Sequence, residues 1–403
     1  MVKISATAKL REIMTNYYIE AKTARENNRL VAWITSGGPV EPLIAMDIIP
    51  IYPENHGAMI GAAKMGKDLC EKAEAMGYSP DLCSYARSDI ACSATNGGPI
   101  GGLPEPDMLI CCNNICGTVL KWYEIQSRRF NAPLFIFDTP FCHTGYSSEV
   151  ARYVRSQINE YVSFLEEVTG RRMDLDHLAQ VGKLSVEGQG LWQSVLDTAM
   201  NHPSPMSAFD AFIYMSLIVT LRGTKVVVDF YSELLQEMQR RIKEGIGAVK
   251  EEKYRLLWDN IPIWYRMKWL SEKFASYGAC LVADTYTSAW CGSLKYIDEN
   301  DFLNSMAEGY TRIYLNIGVD ERALTIMDMV QKYDTQGLVI HSNRSCKPYS
   351  LGQYDIQAMV ERELGIPTVV IESDMVDERS FSEAQIETRI EAFMEILSSR
   401  SMS

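Results

Sequence analysis

The chain has 403 residues, 47% hydrophobic and 23% charged, a balance that supports packed cores and argues against wholesale disorder. That length suggests two domains, because a single core rarely grows beyond about 250–300 residues. With 39 basic against 52 acidic side chains, the net charge of −13 disfavours DNA, RNA or an anionic membrane as the main partner.

In chain order, residues 3–28 read as an amphipathic helix. The stretch is charged throughout and lacks an apolar signal-peptide region, so a cytoplasmic protein is expected. No run approaches the roughly 20 apolar residues of a membrane span. Leu30–Thr35 forms a strand, followed by a Gly-Gly-Pro turn, a short helix and a second apolar run ending at Pro53. "YPENHG" (52–57) then reads as a strand-to-loop exit, and "NGGPIGG" (96–102) as a flexible loop or lid without the spacing of a phosphate loop. "DMLICC" and "PLFIFDTP" are two further buried strands, with a helix from about Gly117 to Phe130 between them.

From Ser147 to about Lys250 the pattern is mostly helical, including "PSPMSAFDAF", a proline-punctuated helix start. "ACLVADTY", "GLVIHSN" and "PTVVIESD" supply later strands, and "LGQYDIQAMVEREL" a helix before the last. Short apolar strands alternating with helices predict an α/β protein with two Rossmann-like domains built on short parallel sheets. The expected units are 1–150, a helical connecting region 151–250, and 251–403. The outer units rhyme: in each, a strand runs into a cysteine-bearing turn, then a helix, then another strand. Ligands of open parallel sheets collect at such strand ends.

Ten cysteines in a long cytosolic chain are no disulfide framework, which leaves metal ligation, catalysis or burial. Cys83, Cys116 and Cys346 fall on polar loops flanked by Gly, Asn, Ser or Pro. Cys70, Cys111, Cys112, Cys280 and Cys291 sit in apolar surroundings, where free cysteine behaves as a small hydrophobe. No CxxC occurs, so zinc-finger and ferredoxin spacings are absent. HExxH, Walker A and GxSxG are absent too. Glu54 could act as a general base if its surroundings tune it, but reads first as a solvated loop carboxylate. His56 reads as a hydrogen-bonded structural residue. Ser36 precedes two glycines at a strand end, where backbone amides can hold an anion or a carbonyl oxygen. Trp122, Trp264 and Trp290 read as core or rim residues.

Taken together, "YPENH", "GYSPDLCSYAR", "CCNNICGTVLKWYE", "PSPMSAFDAF", "EEKYRLLW", "NRSCKPYS" and "DERSFSEAQIETRIEAF" resemble the (R)-2-hydroxyacyl-CoA dehydratase and benzoyl-CoA reductase family. The similarity runs nearly end to end, to the larger, alpha-type subunit. The resemblance implies a catalytic subunit carrying a 4Fe-4S cluster, paired with a homologous second subunit as a heterodimer. It puts Cys83, Cys116 and Cys346 on the cluster-ligand positions, and Ser36 and Glu54 on the substrate side. It also implies a separate ATP-hydrolysing iron–sulfur activator that delivers a low-potential electron. The CoA thioester then forms a ketyl radical that eliminates water to an enoyl-CoA.

Binding an anionic CoA ester asks for local cations, for which Lys121, Arg87, Arg344 and Lys347 near the cysteine loops are candidates. "TSGGPVEPL" departs from the Ser-x-x-Pro-Gln-Glu type of related dehydratases, and the C-terminal third leans toward the benzoyl-CoA reductases. "YPENH" leans back, and the dehydratase is favoured. The alternatives are the substrate-binding subunit of an ATP-dependent aryl-CoA reductase and a non-catalytic iron–sulfur electron-transfer protein.

Overall fold

The structure is a computed structural model that describes residues 4–143, 145–293, 296–298 and 301–401. The expected first helix is observed as Thr7–Lys22 followed by a short 3-10 turn, Arg25–Asn27; its first expected residue, Lys3, lies outside the described residues.

Eight parallel strands make two sheets. The first contains β1 (Val31–Ile34), β2 (Ile49–Ile51), β3 (Met108–Cys112) and β4 (Leu134–Phe137), in the order β2-β1-β3-β4. The second contains β5 (Tyr254–Asp259), β6 (Ala279–Asp284), β7 (Gly337–Asn343) and β8 (Thr368–Ser373), in the order β6-β5-β7-β8. The two orders are the same pattern, so the rhyme in the sequence is a repeated topology. β1 and β3 are buried at every position because helices cover both faces, which is why they are apolar without alternation.

β5 escapes a reading by hydrophobic runs. Its "YRLLWD" carries two charged residues, yet Arg255 is buried, donating to the Tyr333 carbonyl at 3.0 Å and to Glu252 at 2.5 Å. Helices Ser148–Thr169, Leu175–Asp197 and Lys225–Glu244 pack on the first sheet: Tyr161, Trp192 and Phe230 share one core with Ala32, Ile34 and Ile110. The short helix Ala208–Tyr214 opens with a Ser207–Asp210 capping box, and its Phe209 and Phe212 pack against Trp258 of the second sheet.

One expectation is corrected. "YPENHG" is no loop: Pro53 occupies the first turn of a helix, Pro53–Ala62, where its missing N–H is harmless. Two helices absent from the sequence reading, Gly66–Ala75 and Ser84–Thr95, follow it.

The two sheets are tied by close contacts between these helices and the segment after β8. Arg87 reaches Asp377 at 3.1 Å and Glu74 at 2.5 Å, both buried or half-buried. A Cβ on Gly66 would stand 2.1 Å from the Val376 carbonyl oxygen, so only glycine allows this approach. Replacing a helical glycine by alanine normally stabilises by about 0.5–1 kcal/mol. At Gly66 the sign should reverse, with Gly66→Ala destabilising by roughly 1–3 kcal/mol in urea unfolding. Gly190→Ala, mid-helix with nothing within 4 Å of the added methyl, should show the ordinary stabilisation.

Candidate functional site

The carboxyl ends of the strands converge. Ser36 follows β1, Glu54 follows β2 and Cys116 follows β3; Ile261, Tyr286, Cys346 and Met375 follow β5 to β8. All seven line one cavity of about 140 Å³, together with Cys83. In each sheet the strand order reverses between the first and third strands, the topological switch point at which open sheets bind ligands. Cys116 and Cys346 occupy equivalent places at the two switch points.

The three cysteines arrive from separate backbone turns but share one local setting. Cys83 immediately precedes helix Ser84–Thr95, Cys116 precedes helix Gly117–Phe130, and Cys346 precedes the single turn Lys347–Ser350. All three are free thiols, half-buried because they face the cavity. Burial raises the Cys83 thiol well above its ordinary range, and the neighbouring Cys346 and Cys116 raise it further. Burial likewise raises Cys116, and pushes Cys346 up to about 12. Amides in the first helical turns pull the other way: those of Ala86, of Val119 and Thr118, and of Tyr349. Among the described residues, no group of three His, Cys, Asp or Glu side chains is arranged to hold a single metal ion.

Two of the cysteine loops are fastened to one another. The Ser84 amide donates to Ser345 Oγ at 3.1 Å, and Ser345 in turn donates to Asp374. Asp374 accepts the amides of Val376 and Asp377 at 2.8 Å each, fixing the end of β8 in the same knot. The Ser36 turn is held from below. Asn114 donates to the Gly37 carbonyl at 2.8 Å and Arg222 to the Gly38 carbonyl at 3.3 Å. Arg222 is buried against Glu41, whose carboxylate also accepts Tyr310 and Ser185 hydroxyls at 2.5 and 2.6 Å. These positioning residues carry no sequence motif, and only the fold brings them together.

Glu54 is buried, so the expectation of a solvated loop carboxylate is corrected. Its Oε1 accepts the Ser36 amide at 3.1 Å, and its Oε2 lies 3.4 Å from the Tyr123 hydroxyl. Burial raises its pKa to about 7 against the opposing pull of these donors. Tyr123 sits in the "CCNNICGTVLKWYE" stretch, where a tyrosine on a helix reads as core. His56 is buried with its Nδ1 3.7 Å from Asp89, and neither ring nitrogen has a hydrogen-bond partner among the described residues. It therefore lacks the hydrogen bond expected from sequence, and it does not line the cavity. Cys70, Cys111, Cys112, Cys280 and Cys291 are buried, as their surroundings suggest.

A second, wider cleft of about 750 Å³ adjoins the first and shares Ser36, Glu54, Tyr286 and Trp290 with it. Trp264 lines this cleft, and Trp122 lines the thiol cavity. The cleft's cations are Lys64, Arg266 and Lys268. The four expected from the sequence are elsewhere. Arg87 is consumed by Glu74 and Asp377, Lys121 pairs with Glu124, and Arg344 and Lys347 open onto a separate polar cleft. The "NGGPIGG" loop lines neither cavity: Gly98 packs against Cys92 and His56, so the lid reading is not supported.

Glu54 gives a pH signature. Its pKa is raised from 4.5 to about 7, so the folded chain holds this proton more tightly than the unfolded one. The stability it confers is full below the unfolded value and lost as pH rises through about 7. Between about pH 4.5 and pH 8, Glu54→Gln should therefore gain up to about 3 kcal/mol on the wild-type chain in urea unfolding. A gap that stays constant across this window would contradict a buried, proton-retaining carboxyl.

The family described as "2-hydroxyglutaryl-CoA dehydratase, D-component" matches residues 35–397. The (R)-2-hydroxyisocaproyl-CoA dehydratase alpha subunit of Clostridioides difficile is 36% identical, covering 99% of this chain and 97% of its own. The (R)-phenyllactyl-CoA dehydratase alpha subunit of Clostridium sporogenes is 34% identical, covering 96% and 94%. A benzoyl-CoA reductase subunit of Thauera aromatica is 29% identical, covering 98% and 95%. Among the described residues no helix is long and apolar enough to cross a membrane. Matched over most of its length by the family profile and end to end by its relatives, this chain belongs to the 2-hydroxyglutaryl-CoA dehydratase D-component family.

Proposed function

We propose that this chain is the substrate-binding subunit of an (R)-2-hydroxyacyl-CoA dehydratase, eliminating water from a 2-hydroxyacyl thioester to give the enoyl-CoA. The observation that carries the reading is the meeting of three thiols, a buried carboxyl and a serine-glycine turn in one cavity at facing switch points. The donor set fits a 4Fe-4S cluster bound by Cys83, Cys116 and Cys346. Three thiols that come from separate turns and line one cavity support this reading. When bound, such a cluster supplies one-electron reduction and, with three protein ligands, an open iron as Lewis acid.

The chain's own residues then orient and protonate. Ser36 lines both cavities, with its hydroxyl 3.5 Å from Glu54 Oε1, which supports a role for it in holding the thioester oxygen. Glu54, near half-protonation at neutral pH, can give a proton to the departing hydroxyl or receive one from the β-carbon. Tyr123 and the Ser36 amide fix the direction in which that carboxyl points. The largely apolar lining of the thiol cavity supports exclusion of water from the reacting carbons.

Relatives named "alpha subunit" support a homologous second subunit as heterodimer partner, and the demand for a low-potential electron supports a separate ATP-hydrolysing iron–sulfur activator. Likeness to a benzoyl-CoA reductase keeps aryl-CoA reduction as the second reading.

The test is an anaerobic assay of this chain with its partner and activator, offered 2-hydroxyisocaproyl-CoA and benzoyl-CoA in turn. Enoyl-CoA formation without net electron consumption is expected; ring reduction alone would replace the dehydratase with the reductase. Glu54→Gln should lower kcat by about 10²-fold or more while leaving KM within a few-fold.

A further inference from the structure

The thiol cavity has no lysine, arginine or histidine in its wall among the described residues. Lys64, Arg266 and Lys268 stand along the rim of the wider cleft, where solvent and salt screen them. Directly behind the thiol cavity's wall, however, lies a buried cation. Arg322, in the first turn of helix Val319–Lys332, holds its guanidinium over the rings of Tyr314 and Tyr349, 5.1 and 5.7 Å from their centroids. Both rings line the cavity. The same guanidinium donates to the Pro348 and Tyr349 carbonyls at 2.8 and 3.0 Å, and so grips the single turn that follows Cys346.

Its electrostatic state sets Arg322 apart. Five arginines are buried among the described residues, and four of them are ion-paired: Arg87 with Glu74 and Asp377, Arg222 with Glu41, Arg241 with Glu237, and Arg255 with Glu252. Among the described residues Arg322 has carbonyls and ring faces as its partners and no ion pair. Asp259 is an acid whose charge acts on it. That carboxyl accepts the Thr285 and Tyr314 hydroxyls at 2.7 and 3.3 Å, and burial raises it toward the neutral form. A buried cation without a counter-ion is costly, and carbonyls and ring faces offset only part of that cost. An anion seated in the cavity, across the two tyrosines, would complete the pair. A 4Fe-4S core held by three thiolates is such an anion, and it gains a further negative charge on reduction.

We propose that Arg322 supplies this counter-charge: it is a positioning residue that holds the Cys346 turn and, across Tyr314 and Tyr349, favours the reduced form of the cluster. The inference rests on the cluster reading given above and adds to it a residue that tunes the potential.

The experiment is a redox titration of the anaerobic complex followed by electron paramagnetic resonance, with this chain's step identified by its loss in Cys346→Ser. Arg322→Gln removes the charge and keeps an amide donor for the turn; Arg322→Lys keeps the charge without the guanidinium fork. Arg322→Gln should retain its iron and shift the reduction equilibrium about ten-fold or more toward the oxidised form, a midpoint about 59 mV lower for one electron. Arg322→Lys should recover at least half of that difference. A smaller shift in Arg322→Gln, or less recovery in Arg322→Lys, overturns the inference, since a merely structural brace would not move the potential with the charge. If Arg322→Gln cannot hold iron, iron content decides. Retention of most of it by Arg322→Lys supports the need for a charge, and equal loss in both variants overturns it. A wild-type complex in which Cys346→Ser removes no redox step overturns the cluster reading itself, and the counter-charge falls with it.

Discussion

The structure depends on one constraint: two parallel sheets of the same topology must present their carboxyl edges to each other across a gap small enough to share. Each edge alone offers one cysteine at its switch point. Opposed, they offer Cys116 and Cys346, and helix Ser84–Thr95 brings Cys83 to the same cavity. The knot of Ser84, Ser345 and Asp374 sets that gap, because it joins the residues adjacent to two of the three thiols and the turn after β8. Gly66 against Val376 and Arg87 against Asp377 extend the same seam. Any slackening there would separate sulfurs that the proposed cluster needs together.

Much of this is legible in the sequence, for identifiable reasons. Fully buried parallel strands are apolar at every position, so β1 and β3 announce themselves, and β7 and β8 do so through shorter apolar runs, Leu338–Ile340 and Val369–Ile371. β5 does not, because Arg255 is solvated by carbonyls and a carboxylate inside the fold instead of by water. Pro53 reads as a break in a linear scan, yet at a first helical turn it is a start signal, and that single difference moves Glu54 from a loop to a buried helix. The three loop cysteines stand out from the core cysteines by their polar neighbours, but their meeting is beyond any spacing rule, being set by contacts across some 230–260 positions of chain. Tyr123, the Arg222–Glu41 pair and the rim cations leave no motif at all. Charge near a cysteine in sequence is a poor guide to charge near a thiol in space, as Arg87 illustrates.

The electrostatics of the site follow from burial. The same desolvation that raises Glu54 to about 7 raises the three thiols, so the cavity by itself favours neutral groups throughout. A cationic iron centre of the kind proposed would invert that preference for the sulfurs, and first-turn amides would favour the resulting thiolate. Glu54, lining the cavity but reached by its own donors, keeps a proton that can be moved near neutral pH. One apolar environment thus acts on the three thiols and on the Glu54 carboxyl alike.

The most direct test of the central claim is iron and acid-labile sulfide analysis, with an anaerobic visible spectrum, on the chain and on its Cys83→Ser, Cys116→Ser and Cys346→Ser variants. The account predicts a brown protein with iron and sulfide in equal amounts, and loss of most of both in each variant. A colourless, iron-free chain, or variants that all keep the full complement, would contradict it.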